Sequence, residues 1–279
     1  MAQGSVKVPD DSDFSRFRVQ CESQEGWINK YSKSGMEVWI DLPPSASAHH
    51  DRSQNQVKIH KIRCRMAMKD VSAATMYDVL HDEEYRRKWD TNVIESFDIA
   101  RITVNADVGY YSWRCPKPLK NRDVVTLRSW RVKDDEYMII NYSVKHPKYP
   151  PRKDLVRAIS ILTGFLVKPT GPNSCTFTYL CQADPRGSLP KWFVNKASQY
   201  LAPQVLKKMH RAGQCYVEWK QSNSPNKKPW LHPEQSAPLP FLSLSALDIQ
   251  RTESLENVDE SGVREERESD GEEEKKEHN

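Results

Sequence analysis

Apolar residues recur at steps of three and four along residues 188–219, the longest helical pattern in the chain. They are Phe193, Ala197, Tyr200, Leu201, Val205, Met209, Ala212 and Tyr216. This spacing predicts an amphipathic helix whose single apolar stripe covers either an ordinary core or a ligand that comes and goes. Pro203 lies near the centre of the pattern and removes one helix hydrogen bond, so it marks either a hinge or a bend in a packed helix.

A meander of short strand-like runs precedes this helix. The runs are rich in β-branched and aromatic residues, as in "VGYYSWRC" and "EYMIINYSV", and short polar or proline-containing turns separate them. Such short connections favour antiparallel hairpins. Two further helices are predicted before the meander, one capped by Ser12 and one capped by Ser72 and ending near Trp89. This order predicts an α+β fold in which seven or more antiparallel strands curve around a helix.

The composition changes from residue 222 onward. The stretch "SNSPNKKPWLHPEQSAPLP" is rich in proline, and the acidic stretch beyond Asp248 contains few apolar residues. Such a segment cannot recover its ordering entropy by burial, so residues 222–279 are predicted to be disordered. A single folded domain is accordingly expected over residues 15–221.

Charge is distributed unevenly between these two parts. The 279-residue chain has a formal net charge of +4. Residues 251–279 carry a net charge of −7, which leaves +11 on residues 1–250. A basic body indicates an anionic partner, either a membrane surface or a nucleic acid. The basic residues form no RNP-like or zinc-finger pattern, so no nucleic-acid partner is expected.

The patterns of several other protein classes do not occur in the sequence. The six cysteines form no C-x-x-C pair and no secretory signal pattern occurs at the start, which predicts reduced thiols in the cytoplasm. No run of 18 apolar residues predicts a membrane span. There is no H-E-x-x-H motif, no G-x-S-x-G motif and no glycine-rich phosphate loop, so neither an enzyme nor a metal or cofactor site is expected.

Three motifs stand in order along the chain: "YDVLHDEEYRRKWD" at 77–90, "PKPLKNRDVVTLRSW" at 116–130 and "ADPRGSLPKWFVNKASQYLAPQVLKKM" at 183–209. Together they resemble the START family of lipid-binding domains, most closely its phosphatidylcholine-transfer-protein branch, over roughly residues 15–220. The resemblance implies a helix-grip fold, in which a curved antiparallel sheet surrounds a hydrophobic tunnel closed by the C-terminal amphipathic helix.

The function implied by this resemblance is phospholipid transport. The protein would hold one lipid in the tunnel and shuttle phosphatidylcholine and phosphatidylethanolamine between membranes without any cofactor. A lipid-gated adaptor that senses lipid without moving it is the alternative.

Arg86 and Asp90 are the first candidate pair for binding the lipid head group. They stand at positions i and i+4, so they share a helix face and are able to pair. The resemblance implies that the arginine lies near the lipid phosphate and pairs with the aspartate. Spacing alone also fits a surface ion pair of little energetic value.

Two strands supply further candidates. Tyr111 and Trp113 share one strand face, where their rings could attract a quaternary ammonium group, although a core role for Trp113 fits equally. In "RDVVTLRSW" one face carries Val124, Thr126, Arg128 and Trp130. The resemblance implies that this face points inward and that Arg128 is a buried charge, which needs a partner. The reversed register would turn Arg128 toward water.

The long helix is expected to turn one face to the lipid in the tunnel and the other face to the membrane. The apolar residues Leu201, Val205 and Met209 are expected to face the lipid. The side that meets anionic membranes is expected to comprise Lys191, Trp192, Lys196, Pro203, Lys207, Lys208 and Arg211.

The acidic tail contains a predicted phosphorylation site. In "ERESDGEEE", Ser269 stands in the S-x-x-E pattern of acid-directed kinases such as casein kinase 2. A phosphate adds close to two negative charges. Our hypothesis is that the tail competes with anionic membranes for the basic helix; the alternative is a solvating tail without a regulatory role.

Overall fold

A computed structural model describes residues 5–41, 61–186, 201–236, 238–251 and Glu260, and a single large sheet dominates these residues. The strands in this described part are β1 (Trp27–Lys33), β2 (Met36–Asp41), β3 (Lys61–Met68), β4 (Val93–Thr103), β5 (Ala106–Trp113), β6 (Arg122–Lys133), β7 (Glu136–Lys145), β8 (Val156–Arg157), β9 (Ile159–Gly171), β10 (Ser174–Asp184) and β11 (Asp248–Ile249). The helices are α1 (Asp11–Glu22), α2 (Ala73–His81), α3 (Glu83–Trp89) and α4 (Ala202–Ser222). None of these described helices is long and apolar enough to cross a membrane.

Antiparallel pairing runs through the sheet in the order β1-β2-β3-β10-β9-β7-β6-β5-β4. Most neighbours are consecutive in the chain, as expected for strands joined by short turns. The pairing of β3 with β10 is the long-range step that joins the two ends of the meander. The predicted α+β class, with a many-stranded antiparallel sheet and a C-terminal helix, is confirmed.

The beginnings of the helices follow from local hydrogen bonds. The side chain of Asp10 accepts from the backbone N–H groups of Ser12 (2.9 Å) and Asp13 (3.1 Å), and the Asp13 carboxylate accepts in return from the N–H of Asp10. This reciprocal capping box makes Asp10 the N-cap of α1. The prediction that Ser12 caps this helix is therefore wrong. Ser72 caps α2 as predicted, since its hydroxyl accepts from the N–H of Thr75 at 3.1 Å.

The helix predicted to end near Trp89 is broken at Asp82. The Asp82 carboxylate accepts from the N–H of Tyr85 (3.0 Å) and so begins α3. It also accepts from the hydroxyl of Tyr216 (3.0 Å) and from the ammonium group of Lys220 (2.8 Å), both on α4. The break between α2 and α3 is thereby fixed to the C-terminal half of α4.

Helices cover both faces of the sheet. On the concave face, α2, α3 and α4 pack against a large apolar cluster that includes Met76, Phe177 and Met209. On the opposite, outer face, Phe14 and Phe17 of α1 pack over β7, β9 and β10. The concave face is therefore the one that α4 closes.

The segment after α4 differs from the expectation of disorder wherever the structure describes it. Asp78 of α2 accepts from the ammonium group of Lys228 (2.6 Å) and from the indole N–H of Trp230 (2.7 Å). Further along, β11 pairs with β7, with Asp248 opposite Lys145. We call residues 223–251 the strap.

The strap folds because it covers apolar surface on the outer face of β4–β7. Its buried Leu247 joins a cluster with Val108, Val125 and Leu127, and three partly buried strap residues pack against the same cluster. These three are Leu242, Leu244 and Ile249. Composition alone could not predict this packing, because the gain comes from covering a sheet face that would otherwise be exposed.

Candidate functional site

A row of polar side chains crosses the concave face from strand to strand. Direct pairing places Asp107 beside Arg128, Arg128 beside Asn141, Asn141 beside Thr163 and Thr163 beside Cys181. Because directly opposed residues in a sheet share a face, all five point the same way. We call them the polar row. The apolar residues of β5 and β6 that alternate with them lie in the outer cluster.

Arg128 is the charged centre of the polar row. Its guanidinium donates to both carboxylate oxygens of Asp107 (3.0 and 2.6 Å) and to Asp98 (3.2 Å), and it lies 5.4 Å from the Trp130 ring centre. Burial alone would lower the pKa of Arg128, but the two carboxylates outweigh it and raise that pKa. The structure thus places Arg128 inward and paired, and brings Val124, Thr126 and Trp130 onto the same face.

Glu83, at the start of α3, adds a further carboxyl group to this charged centre. Burial raises the pKa of Glu83 to about 7, and the neighbouring Asp98 adds to the rise through its charge and a hydrogen bond, against the effect of Arg128. Near neutral pH this carboxyl group is therefore present in both protonated and charged forms.

Tyr111 on β5 and Tyr179 on β10 both lie on the inner face of the sheet, the face that carries the polar row. Burial raises the pKa of each phenol, and the charge of Tyr111 contributes to the rise at Tyr179 although β6, β7 and β9 separate their strands. Both side chains nevertheless keep accessible surface.

Trp113 stacks on Tyr111, with ring centres 5.7 Å apart and planes 28° from parallel. Tyr110 points to the other face, where it joins the outer cluster and donates to Asp123 at 3.1 Å. The aromatic pair therefore stands on the inner face of β5, next to the polar row.

Arg86 and Asp90 do not pair, contrary to the prediction. The Arg86 guanidinium donates to the backbone carbonyl of Leu80 (2.7 Å), while Asp90 accepts from the Tyr111 hydroxyl (3.1 Å). Helical spacing allowed the pair, but each side chain found a nearer partner outside its own helix. Within the described part of the chain the Leu80 carbonyl is the only acceptor of Arg86, so its remaining donors are free for a ligand.

On α4 the prediction that Val205 faces the interior is wrong. Val205 is 41% exposed, whereas Leu206 is 1% exposed. Both residues fit helical spacing to Met209, at steps of four and three, so the sequence pattern could not separate them. Met209 is buried in the concave cluster and Leu201 is partly buried.

The basic residues on the outside of α4 are exposed. Lys207, Lys208 and Arg211 all face solvent, and the ammonium group of Lys208 donates to the Thr91 hydroxyl (3.0 Å) just after α3. Pro203 is buried at the second position of α4. Four predicted residues lie outside the described part: Lys191, Trp192, Lys196 and Ser269.

A pocket of about 430 Å³ opens at the edge of the sheet, between α3 and the first half of β4. Its lining includes Arg87, Asp90 and Phe97. A space of this size suits a small molecule or part of a larger one.

Sequence reasoning missed several groups of the site, namely Glu83, Asp98, Asp107, Asn141, Thr163, Tyr179 and Cys181. A weak signal was present for Asn141, a polar residue in the apolar run "YMIINYSV". Its alignment with Arg128 depends on strand register across the sheet, which no local pattern contains.

A family model described as "START domain" matches residues 16–219. The chain therefore belongs to the START domain family.

Among its relatives, mouse (Mus musculus) START domain-containing protein 10 is 63% identical over 268 residues, which cover 96% of this chain and 88% of the relative. Mouse phosphatidylcholine transfer protein is 30% identical over 150 residues, 52% of this chain and 69% of the relative.

The crystal structure of human STARD10 superposes with a TM-score of 0.81 at 62% identity and covers 91% of this chain and 99% of that one. Human StAR-related lipid transfer protein 5 (TM-score 0.58, 20% identity, 75% and 93% covered) shares the fold. These matches confirm the predicted START fold.

Proposed function

We propose that this protein carries phospholipids between membranes one molecule at a time, with phosphatidylcholine and phosphatidylethanolamine as cargo and without catalysing a reaction. The observation that carries the proposal is the polar row, a line of charged and hydrogen-bonding groups set within an apolar concave face that α4 covers. Such a face is suited to an amphiphile, because one part can receive a head group and the rest can receive acyl chains. The name of the related phosphatidylcholine transfer protein supports the choice of cargo.

The energetics of such a carrier depend on exchange with a membrane rather than capture from water. Two acyl chains contain about thirty methylenes, and each is worth about 0.8 kcal/mol when buried. The donor bilayer already provides that burial, so an apolar interior needs only to match it. Transfer is then close to balanced, and its rate depends on opening the protein at a membrane surface.

Different residues would hold the two halves of the head group. The free donors of Arg86 suit the phosphate, since guanidinium binds phosphate oxygens in a planar fork. The stacked rings of Tyr111 and Trp113 suit the ammonium group through cation–π attraction. Four further residues would contact the remainder of the lipid: Val124, Thr126, Leu201 and Met209.

The exposed basic residues of α4 would provide the membrane contact. Lys207, Lys208 and Arg211 present positive charge on the side away from the concave face. Each basic side chain near an anionic surface contributes about 1 kcal/mol of attraction. We propose transient binding to anionic membranes in the cytoplasm, with no nucleic-acid partner.

The acidic tail would regulate this contact. Phosphorylation of Ser269 by an acid-directed kinase adds negative charge to a segment that can compete with the membrane for the basic face of α4. Slower vesicle-to-vesicle transfer by Ser269→Glu than by Ser269→Ala supports this role, and equal rates contradict it.

The test of the carrier function pairs lipid identification with transfer. Native mass spectrometry of protein purified from cells is expected to show one bound phospholipid, and labelled phosphatidylcholine should move between vesicles. Arg86→Gln should reduce transfer about tenfold or more, the value of one hydrogen bond to a charged group.

Arg16→Gln is the matched control, because Arg16 is exposed on α1, on the outer face of the sheet, and pairs only with Asp13 among the described residues. It should transfer lipid at the wild-type rate. A wild-type protein that binds lipid but transfers none would instead support the adaptor alternative, and a protein without bound lipid would contradict the proposal.

A further inference from the structure

Glu260, far beyond the helix that ends the family match, is buried against the domain. One carboxylate oxygen accepts from the guanidinium of Arg122, and the other accepts from the backbone N–H of Lys120 at 2.9 Å. The Arg122 side chain is 2% exposed and that of Glu260 is 7% exposed. Both charged groups of the pair are thus shielded from solvent. Removing the charge of either residue would leave the charge of the other buried and unpaired.

Arg122 also connects two other segments. Its guanidinium donates to the carbonyl of Lys120, in the β5–β6 loop (residues 114–121), and to the carbonyl of Pro185 at 3.4 Å, just after β10. Glu260 contacts the same loop, because its carboxylate accepts from the backbone N–H of Lys120. Glu260 therefore fixes the guanidinium of Arg122, and Arg122 in turn joins the β5–β6 loop to the place where the chain leaves β10.

These segments lie at one end of the concave face. Trp113, the last residue of β5, pairs with Arg122 and with Val93, which begins β4 directly after α3. The strands β5 and β6 that meet in the loop carry Tyr111 and Val124 on their inner sides, only two positions from that pair. The β5–β6 loop thus borders the part of the interior proposed to hold the head group.

We propose that Glu260 is an intramolecular latch: its carboxylate holds the Arg122 guanidinium that joins the β5–β6 loop to the end of β10, and this restrains the opening of this end to lipid. The inference rests on the proposed carrier function. In this proposal lipid passes beside Tyr111 when the β5–β6 loop moves away from β10. Arg122 opposes that movement through its bond to the Pro185 carbonyl for as long as Glu260 holds its guanidinium. The latch sets how often that end opens, and the cargo contacts stay unchanged.

The decisive variant is Glu260→Gln, which keeps the size of the side chain and removes its charge. Hydrogen–deuterium exchange of the amides in residues 114–121 should accelerate about tenfold, the factor that one charged hydrogen bond is worth. Vesicle-to-vesicle transfer of phosphatidylcholine should accelerate at least about threefold, a smaller factor because membrane binding also limits the rate.

Glu234→Gln is the matched control, because it makes the same charge change in the strap at a side chain that is exposed. It should leave both rates at their wild-type values. Thermal unfolding verifies that both variants fold.

The outcomes separate the latch from the carrier function. Unchanged loop exchange in Glu260→Gln overturns the latch, and so does faster loop exchange without faster transfer. If the wild-type protein transfers no lipid, the carrier function fails, while the exchange experiment still reports whether Glu260 holds the loop.

Discussion

At the scale of single residues, Glu83 links the stability of the fold to pH. Burial raises its pKa to about 7 from an ordinary value of 4.5, so the folded protein keeps a proton that the unfolded chain releases. The stability that this proton provides is fully present below pH 4.5 and is lost as the pH rises through about 7. Glu83 therefore opposes folding most strongly in mildly alkaline solution.

Glu83→Gln is expected to remove this dependence, because glutamine resembles the protonated acid and cannot ionise. The variant should unfold at a higher temperature than the wild type at pH 8 and at a similar temperature at pH 5, with a shift of about 2–4 °C for each 1 kcal/mol. Thermal unfolding at both pH values measures it. Glu84→Gln, at an exposed neighbouring position, should show no such difference between the two pH values.

The residue scale is also where sequence reasoning was least successful. The inward face of β6 follows from alternation once a family resemblance chooses between the two registers. The partners of Arg86 and Asp90 do not follow, because Leu80 and Tyr111 compete for them through contacts that only the folded chain creates.

At the scale of elements, α4 packs through one face whose position the structure defines. Leu206→Ala should destabilise the protein by about 2–5 kcal/mol, since a buried leucine is replaced by a cavity. Val205→Ala should cost less than about 0.5 kcal/mol, because that side chain is exposed. Urea unfolding of the two variants compares neighbouring positions directly, and equal losses would contradict this orientation of the helix.

Elements were predicted well where the pattern was long and regular. The strands of the meander and the cap of α2 follow from period-two alternation and from Ser72. The break at Asp82 does not, because "YDVLHDEEYRRKWD" has continuous helical spacing. Tyr216 and Lys220, more than 130 residues later, stabilise the extended backbone of Asp82 through their bonds to its carboxylate, and the local sequence gives no sign of them.

At the scale of the whole molecule, the strap is a structural part of the domain. A chain that ends at residue 222 lacks the hydrogen bonds that Lys228 and Trp230 donate to Asp78. It also lacks Leu247 and the other strap residues that cover the outer cluster. Several apolar side chains contribute about 1.5–3 kcal/mol each when fully buried, so this truncation should lower the unfolding temperature by about 10 °C or more.

A chain that ends at residue 262 is the matched comparison, because it keeps the strap and Glu260 and removes only the remainder of the acidic tail. Its unfolding temperature should stay near that of the full chain. Scanning calorimetry of the three lengths measures the contribution of the strap, and similar values for the shorter two would refute it.

The overall architecture could be predicted because motif order, hairpin spacing and one amphipathic helix all favour the same plan. The strap could not, because prolines and scattered leucines between residues 223 and 251 have no period of their own. Their stabilisation comes from the sheet surface beneath them.

Two buried aspartates, Asp78 and Asp82, anchor the C-terminal end of α4, and this anchoring has a mechanical consequence. Asp82 holds Tyr216 and Lys220, and Asp78 holds the chain just beyond the helix, so the C-terminal end acts as a fixed pivot. A helix of 21 residues is a lever about 30 Å long. A rotation of only about 10° around that pivot would carry Ala202 about 5 Å sideways, roughly one helical turn's length, while the anchored contacts hardly change.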